Sequence, residues 1–321
     1  MKAALPADML LPPVMRLSPR VIRVLGMNPG PKTLGGTNTY IVGTGKERVL
    51  VDTGEGAPSY IQSLVEGLRL ASVELNGHPV SLSTIVLTHW HKDHVGGVDD
   101  VLKLFPRANV LKKHSSNDDR LGLPKTVAPL PTTDGAIRVE GATLRWVPTP
   151  GHTDDYTSLL LEEEHAVFTG DCILGAGSSV FACFSDFMSS LETLKTLSPK
   201  GLYPGHGPYV QNGMKKVDEY ISNRRRREEQ VLASLGDESL SIAQIVERVY
   251  TDTPTHLHGA AAINVWHHLR KLCKEGVVKH NGGADHPLLD FSGMHEGSTP
   301  VGTNTLVVDV MWCRHLGSAK V

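Results

Sequence analysis

The sequence predicts a layered α/β protein, sheets inside and helices outside, followed by a small winged-helix-like domain. Three observations carry that expectation. Short β-branched apolar runs alternate with turn residues as far as Gly207. Helical patterns interrupt those runs, and the mixture builds layers around a sheet core. Beyond Gly207 the strand signals thin out, and a polar helix leads into a compact helix–turn–helix–strand segment.

Taken in order, VIRVL, TYIVG and RVLVDTG read as strands, IQSLVEGL as a helix, STIVLTH as a strand and DDVLKLF as a helix. ANVLKK, TLRWVPT, SLLLEE and AVFTGD read as further strands, each bounded by turn residues. KKVDEYISNRRRREEQVLASL is a polar helix, and Ser239 is the expected N-cap of the next one, SLSIAQIVERVY. AAINVWHHLRKLCKEG and VVKHN complete a unit with the size and order of a winged helix. The expected organisation is an N-terminal extension (1–15), the α/β domain (16–236), the winged-helix-like domain (237–284) and an irregular tail (285–321). The tail is rich in Gly, Thr and His and has no periodicity.

Composition narrows the function classes. Of 321 residues, 40% are hydrophobic and 21% charged, and no apolar run of about 18 residues offers a membrane span. The net charge of −2 advertises no polyanionic partner globally. Four cysteines lie far apart with no C-x-x-C, against a disulfide scaffold or a cysteine zinc knuckle. Near the N-terminus Lys2, Arg16, Arg20 and Arg23 outnumber Asp8, but Pro6, Pro12, Pro13 and Pro19 break the segment into at most a weak transit-like pattern.

The stretch THWHKDHVGG, Thr88 to Gly97, concentrates chemistry between a strand end and a helix start. His89 and His91 can point one way, and Asp93 and His94 the other. Imidazole and carboxylate ligands without thiolate suit two divalent ions, zinc first, with manganese or iron as alternatives. Further ligands stand in glycine-bounded loops: His152 in TPGHTDDY, Asp171 in FTGDCIL and His206 in YPGHGP. The expected assignment is His89, His91 and His152 on one ion and Asp93, His94 and His206 on the other, with Asp171 bridging. Asp52, in VLVDTGE, is expected behind them, orienting a ligand. The remaining histidines of the 16 are read as ordinary core or surface residues. A two-ion site activates water at neutral pH and stabilises developing negative charge, so the expected reaction is hydrolysis. Asp93, His94 and Asp171 are its candidate catalytic residues. Asp154 and Asp155, near His152, are candidates for the general acid.

These motifs resemble the metallo-β-lactamase superfamily, in which Asp52, His89 to His94, His152, Asp171 and His206 match successive motifs. The resemblance implies an αββα sandwich and a two-metal hydrolytic site. The commonest zinc β-lactamases carry a cysteine where Asp171 stands, so antibiotic hydrolysis is not the expected activity. His206 follows Asp171 by only 35 positions, too few for the domain that β-CASP nucleases insert there. Glyoxalase II proteins share all seven ligands, which makes thioester hydrolysis the alternative. NPGPKTLGGTNTYIVGTG, DTGE, EGATLRWVPTPGHTDD and LLLEEEHAVFTGDCILG most resemble the β-lactamase-like protein 2 family. That resemblance implies an endoribonuclease that cuts single-stranded RNA in the mitochondrial matrix with two Zn2+ per chain.

The residues alone are permissive toward RNA. A local basic excess includes Lys215, Lys216, Arg224 and Arg225, which can bind phosphates by counterion release or serve only as a solvated helix face. Trp90, Phe181, Phe184 and Phe187 are the aromatic candidates for lining a groove.

Overall fold

The computed structural model describes residues 11–281, apart from 116–117, 119–122, 124–126 and 131–134, together with 311–314. It divides into two compact units, Met1–Ile221 and Ser222–Val321.

In the first unit β1 (Val14–Arg16), β2 (Val21–Leu25), β3 (Asn38–Val42) and β4 (Glu47–Val51) pair antiparallel in chain order. Helix α1 (Tyr60–Val73) crosses to β5 (Ser81–Leu87), parallel to β4. Short helices α2 (Lys92–Val95) and α3 (Val98–Leu104) lead to β6 (Asn109–Lys112) and β7 (Ala128–Pro129), which extend the sheet in parallel. A second sheet is built from β8 (Ala136–Val139), β9 (Ala142–Pro148), β10 (Thr157–Leu161) and β11 (Ala166–Gly170), all antiparallel. After α4 (Phe184–Thr196), β12 (Gly201–Pro204) adds to it parallel to β11, and α5 (Gly213–Leu235) follows.

The period-2 geometry of a strand sorts these residues into layers. Ile22, Val24, Ile41, Leu50, Ile85 and Leu87 share one core with Leu64 and Leu68 of α1 and Val98 and Val101 of α3. The alternate residues Val21, Tyr40, Val42, Val49, Val51 and Val86 pack instead with Leu144, Leu159, Leu161 and Phe168 of the second sheet. The far side of that sheet, with Val167 and Leu202, is covered by Phe187 and Leu191 of α4 and Val217 and Ile221 of α5. The layer order is therefore helix, sheet, sheet, helix. Strands buried on both faces read as continuous apolar runs, which is why VLV and IVL stand out in the sequence.

The second unit packs Val231 and Leu235 of α5 with α6 (Ile242–Val249), α7 (His258–Lys274), β13 (Val278–His280) and β14 (Trp312–Arg314). Three expectations change here. The packing divides inside α5, because that helix contributes apolar residues to cores of both units, rather than at 236/237. The N-cap is Ser241, not Ser239: Leu240 is held extended by reciprocal backbone bonds with Trp312 at 2.9 and 2.8 Å, so the helix starts after it. Ser241 and Gln244 then close a reciprocal capping box. The expected irregular tail contains β14, paired antiparallel to β13, with Trp312 buried in the core. The rest of that tail, apart from Met311, lies outside the described residues. Among the described residues, no helix is long and apolar enough to cross a membrane.

Candidate metal centre

Four of the predicted ligands sit in loops that follow strand ends, where a rigid sheet presents side chains. His89 follows β5, His152 lies between β9 and β10, Asp171 follows β11 and His206 follows β12. The expected WHKDH loop is partly helical, since Asp93 and His94 belong to α2. Asp93 and His94 join a different group of ligand atoms from His89 and His91, although the His94 ring still packs 4.2 Å from that of His89.

Two groups of ligand atoms result: His89, His91, His152 and Asp171, and Asp93, His94, Asp171 and His206. In the first, His91 Nδ1 lies 2.9 Å from His89 Nε2 and 3.0 Å from His152 Nε2. In the second, His94 Nε2 is 3.3 Å from both Asp93 Oδ2 and Asp171 Oδ1, and His206 Nε2 is 3.2 Å from the same two oxygens. Asp171 Oδ2 faces the first group, 3.7 Å from His152 Nε2. One carboxylate thus addresses both groups with different oxygens.

Outer partners set which ring nitrogen His94, His89 and His152 present. Asp52 Oδ2 accepts from His94 Nδ1 at 2.7 Å, directing Nε2 inward. The same oxygen accepts from Thr88 Oγ1 at 2.9 Å, and Asp52 Oδ1 accepts from Thr88 N at 2.8 Å. Thr88 Oγ1 is then free to accept from His89 Nδ1, 3.0 Å away, which directs His89 Nε2 inward. His152 Nδ1 donates to Val180 O at 2.8 Å, with the same effect. Asp52 reaches this position in a left-handed backbone conformation, φ 59°, that Asp tolerates better than most residues.

The sequence reading finds Asp52 but misses its collaborators. Buried Tyr156 packs its ring on His89 at 4.8 Å, donates to Thr169 O at 2.7 Å and accepts from the backbone N–H groups of Asp171 and Cys172. Thr37 Oγ1 donates to Asp93 Oδ2 at 3.1 Å, and Asn38 Nδ2 donates to Pro204 O and Gly207 O, both at 2.8 Å, pinning the His206 loop. Gly205 shows why a glycine precedes His206: a Cβ there would stand 2.4 Å from Asp171 Oδ1. TNTY carries the only sequence signal for Thr37 and Asn38, as polar residues opening a buried strand.

Charge is divided between the groups. Burial, then the neighbouring histidines, holds the His89 imidazole far below its usual range and pushes His91 down to about 3, so their lone pairs are available at neutral pH. Burial resists ionisation of Asp93 and Asp171, yet His94 and His206 keep both carboxyls well below the carboxylate range. Against burial, Asp171 and Asp93 raise His206 to about 9 and His94 also well above its normal value. Such a site favours positive charge. His94 Nε2 and Asp171 Oδ1 are buried without hydrogen-bond partners and aimed at each other. Converging imidazole nitrogens, ionised carboxylates and orphaned inward atoms fit two divalent cations.

The remaining candidates separate. Trp90 is half-buried beside the site, its ring 4.5 Å from that of His91. Phe181, Phe184 and Phe187 are all buried in the core beneath α4 and line no groove, because packing α4 on the second sheet consumes them. Asp155 is fully buried against Lys112 Nζ at 2.5 Å, and burial outweighs that lysine to raise its carboxyl above the usual range. Asp154 is exposed. Lys215 and Lys216 lie in the first unit, Lys216 over the Tyr220 ring at 5.6 Å, while Arg224 and Arg225 lie in the second. Cys172 is buried in the apolar core beside Asp171.

The family comparisons bear on this geometry. Residues 33–206 match the metallo-beta-lactamase superfamily and residues 241–285 the beta-lactamase associated winged helix domain. The beta-lactamase-like protein 2 homolog of Caenorhabditis elegans is 42% identical over 83% of this chain and 88% of its own length. The Drosophila melanogaster homolog is 40% identical over 86% and 95%. An atrochrysone carboxyl ACP thioesterase of Aspergillus fumigatus is 43% identical over 70% of this chain and 68% of its own. Among solved structures, a metallo-beta-lactamase family protein from Thermus thermophilus aligns with TM-score 0.61 at 27% identity, covering 83% of this chain and 97% of that one. The chain belongs to the metallo-beta-lactamase superfamily of hydrolases and carries that family's associated winged-helix domain.

Proposed function

We propose that this hydrolase cleaves single-stranded RNA internally, in the mitochondrial matrix, with two Zn2+ held by the seven ligand residues. The observation that carries the two-ion reading is Asp171, one carboxylate oxygen toward each ligand group. Two divalent cations there would lower the pKa of water and stabilise negative charge developing on a phosphoryl oxygen. Asp93 is the more exposed of the two ligand carboxylates, 23% against 12% for Asp171, and both, held well below the carboxylate range, would stay ionised as ligands. His94, its Nδ1 bonded to Asp52, would present Nε2 to the ion that Asp93, Asp171 and His206 also address. Trp90 supplies a flat apolar surface on which a splayed base can stack.

RNA as substrate is supported by the resemblance of the flanking runs and by the exposed Arg225 and Arg226. A second reading, thioester hydrolysis, is favoured by relatives named atrochrysone carboxyl ACP thioesterases, 39–43% identical. Incubating the protein with unstructured labelled RNA and with S-lactoylglutathione, each with and without chelator, tests both. Chelator-sensitive internal RNA cuts with no thiol release support the first reading; thiol release with intact RNA replaces it with the second. A fusion of residues 1–25 to a fluorescent reporter that stays outside mitochondria would count against the compartment.

A further inference from the structure

We infer that a buried ion pair between Lys112 and Asp155 positions the His152 loop and so sets the geometry of the His89–His91–His152 ligand group. This rests on the two-ion reading above. His89 and His91 follow a strand of the first sheet, whereas His152 hangs from a hairpin of the second. The group is complete only if the two sheets are held in register at this end.

Lys112 stands at that junction. It is the last residue of β6, and its backbone is opposite Leu87 in β5, two residues before His89. Its side chain is 1% exposed, and Nζ donates to Asp155 Oδ2 at 2.5 Å and to Lys113 O at 2.9 Å. Nζ also lies 2.7 Å from Asp118 Oδ1. Asp155, whose side chain is 0% exposed, in turn accepts from Thr153 Oγ1 at 2.6 Å, and Thr153 adjoins His152. The loop is closed by Thr149 N donating to Tyr156 O at 3.1 Å, and Lys113 Nζ grips it from outside through Asp154 O at 2.8 Å. A chain of contacts therefore runs from the strand beside His89, through Lys112, to the residue next to His152.

A buried ion pair adds little net stability compared with an apolar pair of equal volume, because desolvation offsets attraction. Its short directional contacts do fix geometry, and a metal ligand tolerates displacement of only about 0.5 Å. Lys112 and Asp155 are positioning residues in this scheme and touch no reacting atom.

The test is Zn2+ titration of the full chain against a chromophoric chelator, with thermal unfolding of the chelated protein in parallel. Compared are wild type, Asp155→Asn, the apolar pair Lys112→Met with Asp155→Leu, and Leu64→Ala as a core-destabilised control. In both network variants one ion is expected to bind as in wild type and the other about tenfold more weakly. Leu64→Ala is expected to lose stability with both affinities intact. Asp155→Asn keeps the test open should the apolar pair not fold. Affinities within twofold of wild type for both ions in Asp155→Asn, or loss of affinity in Leu64→Ala equal to that in Asp155→Asn, would overturn the inference. Fewer than two ions in wild type is a different failure, that of the two-ion reading.

Discussion

Replacing Asp52 by asparagine probes how the centre is held together with a change of one atom type. The carboxylate is 2% exposed and accepts three hydrogen bonds, from Thr88 N, Thr88 Oγ1 and His94 Nδ1. An amide offers one acceptor oxygen. If that oxygen takes the Oδ2 position, the NH2 group confronts Thr88 N–H. If it takes the Oδ1 position, the NH2 group confronts His94 Nδ1 and favours the tautomer whose Nε2 carries a proton and cannot ligate. Either arrangement loses at least one charge-assisted bond, each worth about 1.5–3 kcal/mol. Loss of an outer partner of this kind weakens metal affinity by about 10- to 100-fold, or about 1.4–2.8 kcal/mol. Zn2+ titration against a competing chelator and thermal unfolding of the chelated protein give the two readouts. Affinity within twofold of wild type together with an unchanged Tm would refute the assignment of Asp52 as the group that orients His94.

Four further outcomes are expected. His89→Ala, Asp93→Ala and Asp171→Ala each abolish chelator-sensitive hydrolysis while near-UV circular dichroism stays native; near-normal turnover by all three sinks the site. Tyr156→Phe leaves the Asp171 N–H without its partner, whereas Cys172 N–H still donates to Thr169 O, and at about 1 kcal/mol or more for the orphaned group it lowers the chelated Tm and slows turnover. Ser241→Ala removes the capping box of α6 and costs about 1 kcal/mol, readable as a lower midpoint in urea. His267 is pushed down to about 3 by burial and by Arg270, so the unfolded chain binds the extra proton between pH 6.5 and 3 and stability falls as the pH drops through that window. From pH 6.5 to 5 the loss is about 2 kcal/mol; His267→Gln should flatten the dependence of Tm on pH, and an unflattened profile would contradict it.

The candidate ligand residues and most strands are legible in the sequence, and the reason is local. His89, His91, Asp93 and His94 lie within six residues, and a strand buried on both faces announces itself as an apolar run. The positioning residues are different in kind. Thr37 meets Asp93 across 56 positions, Lys112 meets Asp155 across 43, and Asn38 meets Pro204 across 166. Polar residues of these types occur throughout any chain, so nothing local distinguishes the ones that folding brings against a ligand. The same holds for β14, whose three residues acquire strand character only by pairing with β13, and for the N-cap of α6, which moves to Ser241 because Trp312 claims Leu240. Ligand identity is a property of short motifs. Ligand orientation, tautomer and spacing come from contacts between residues far apart in the chain, and only the tertiary structure decides those.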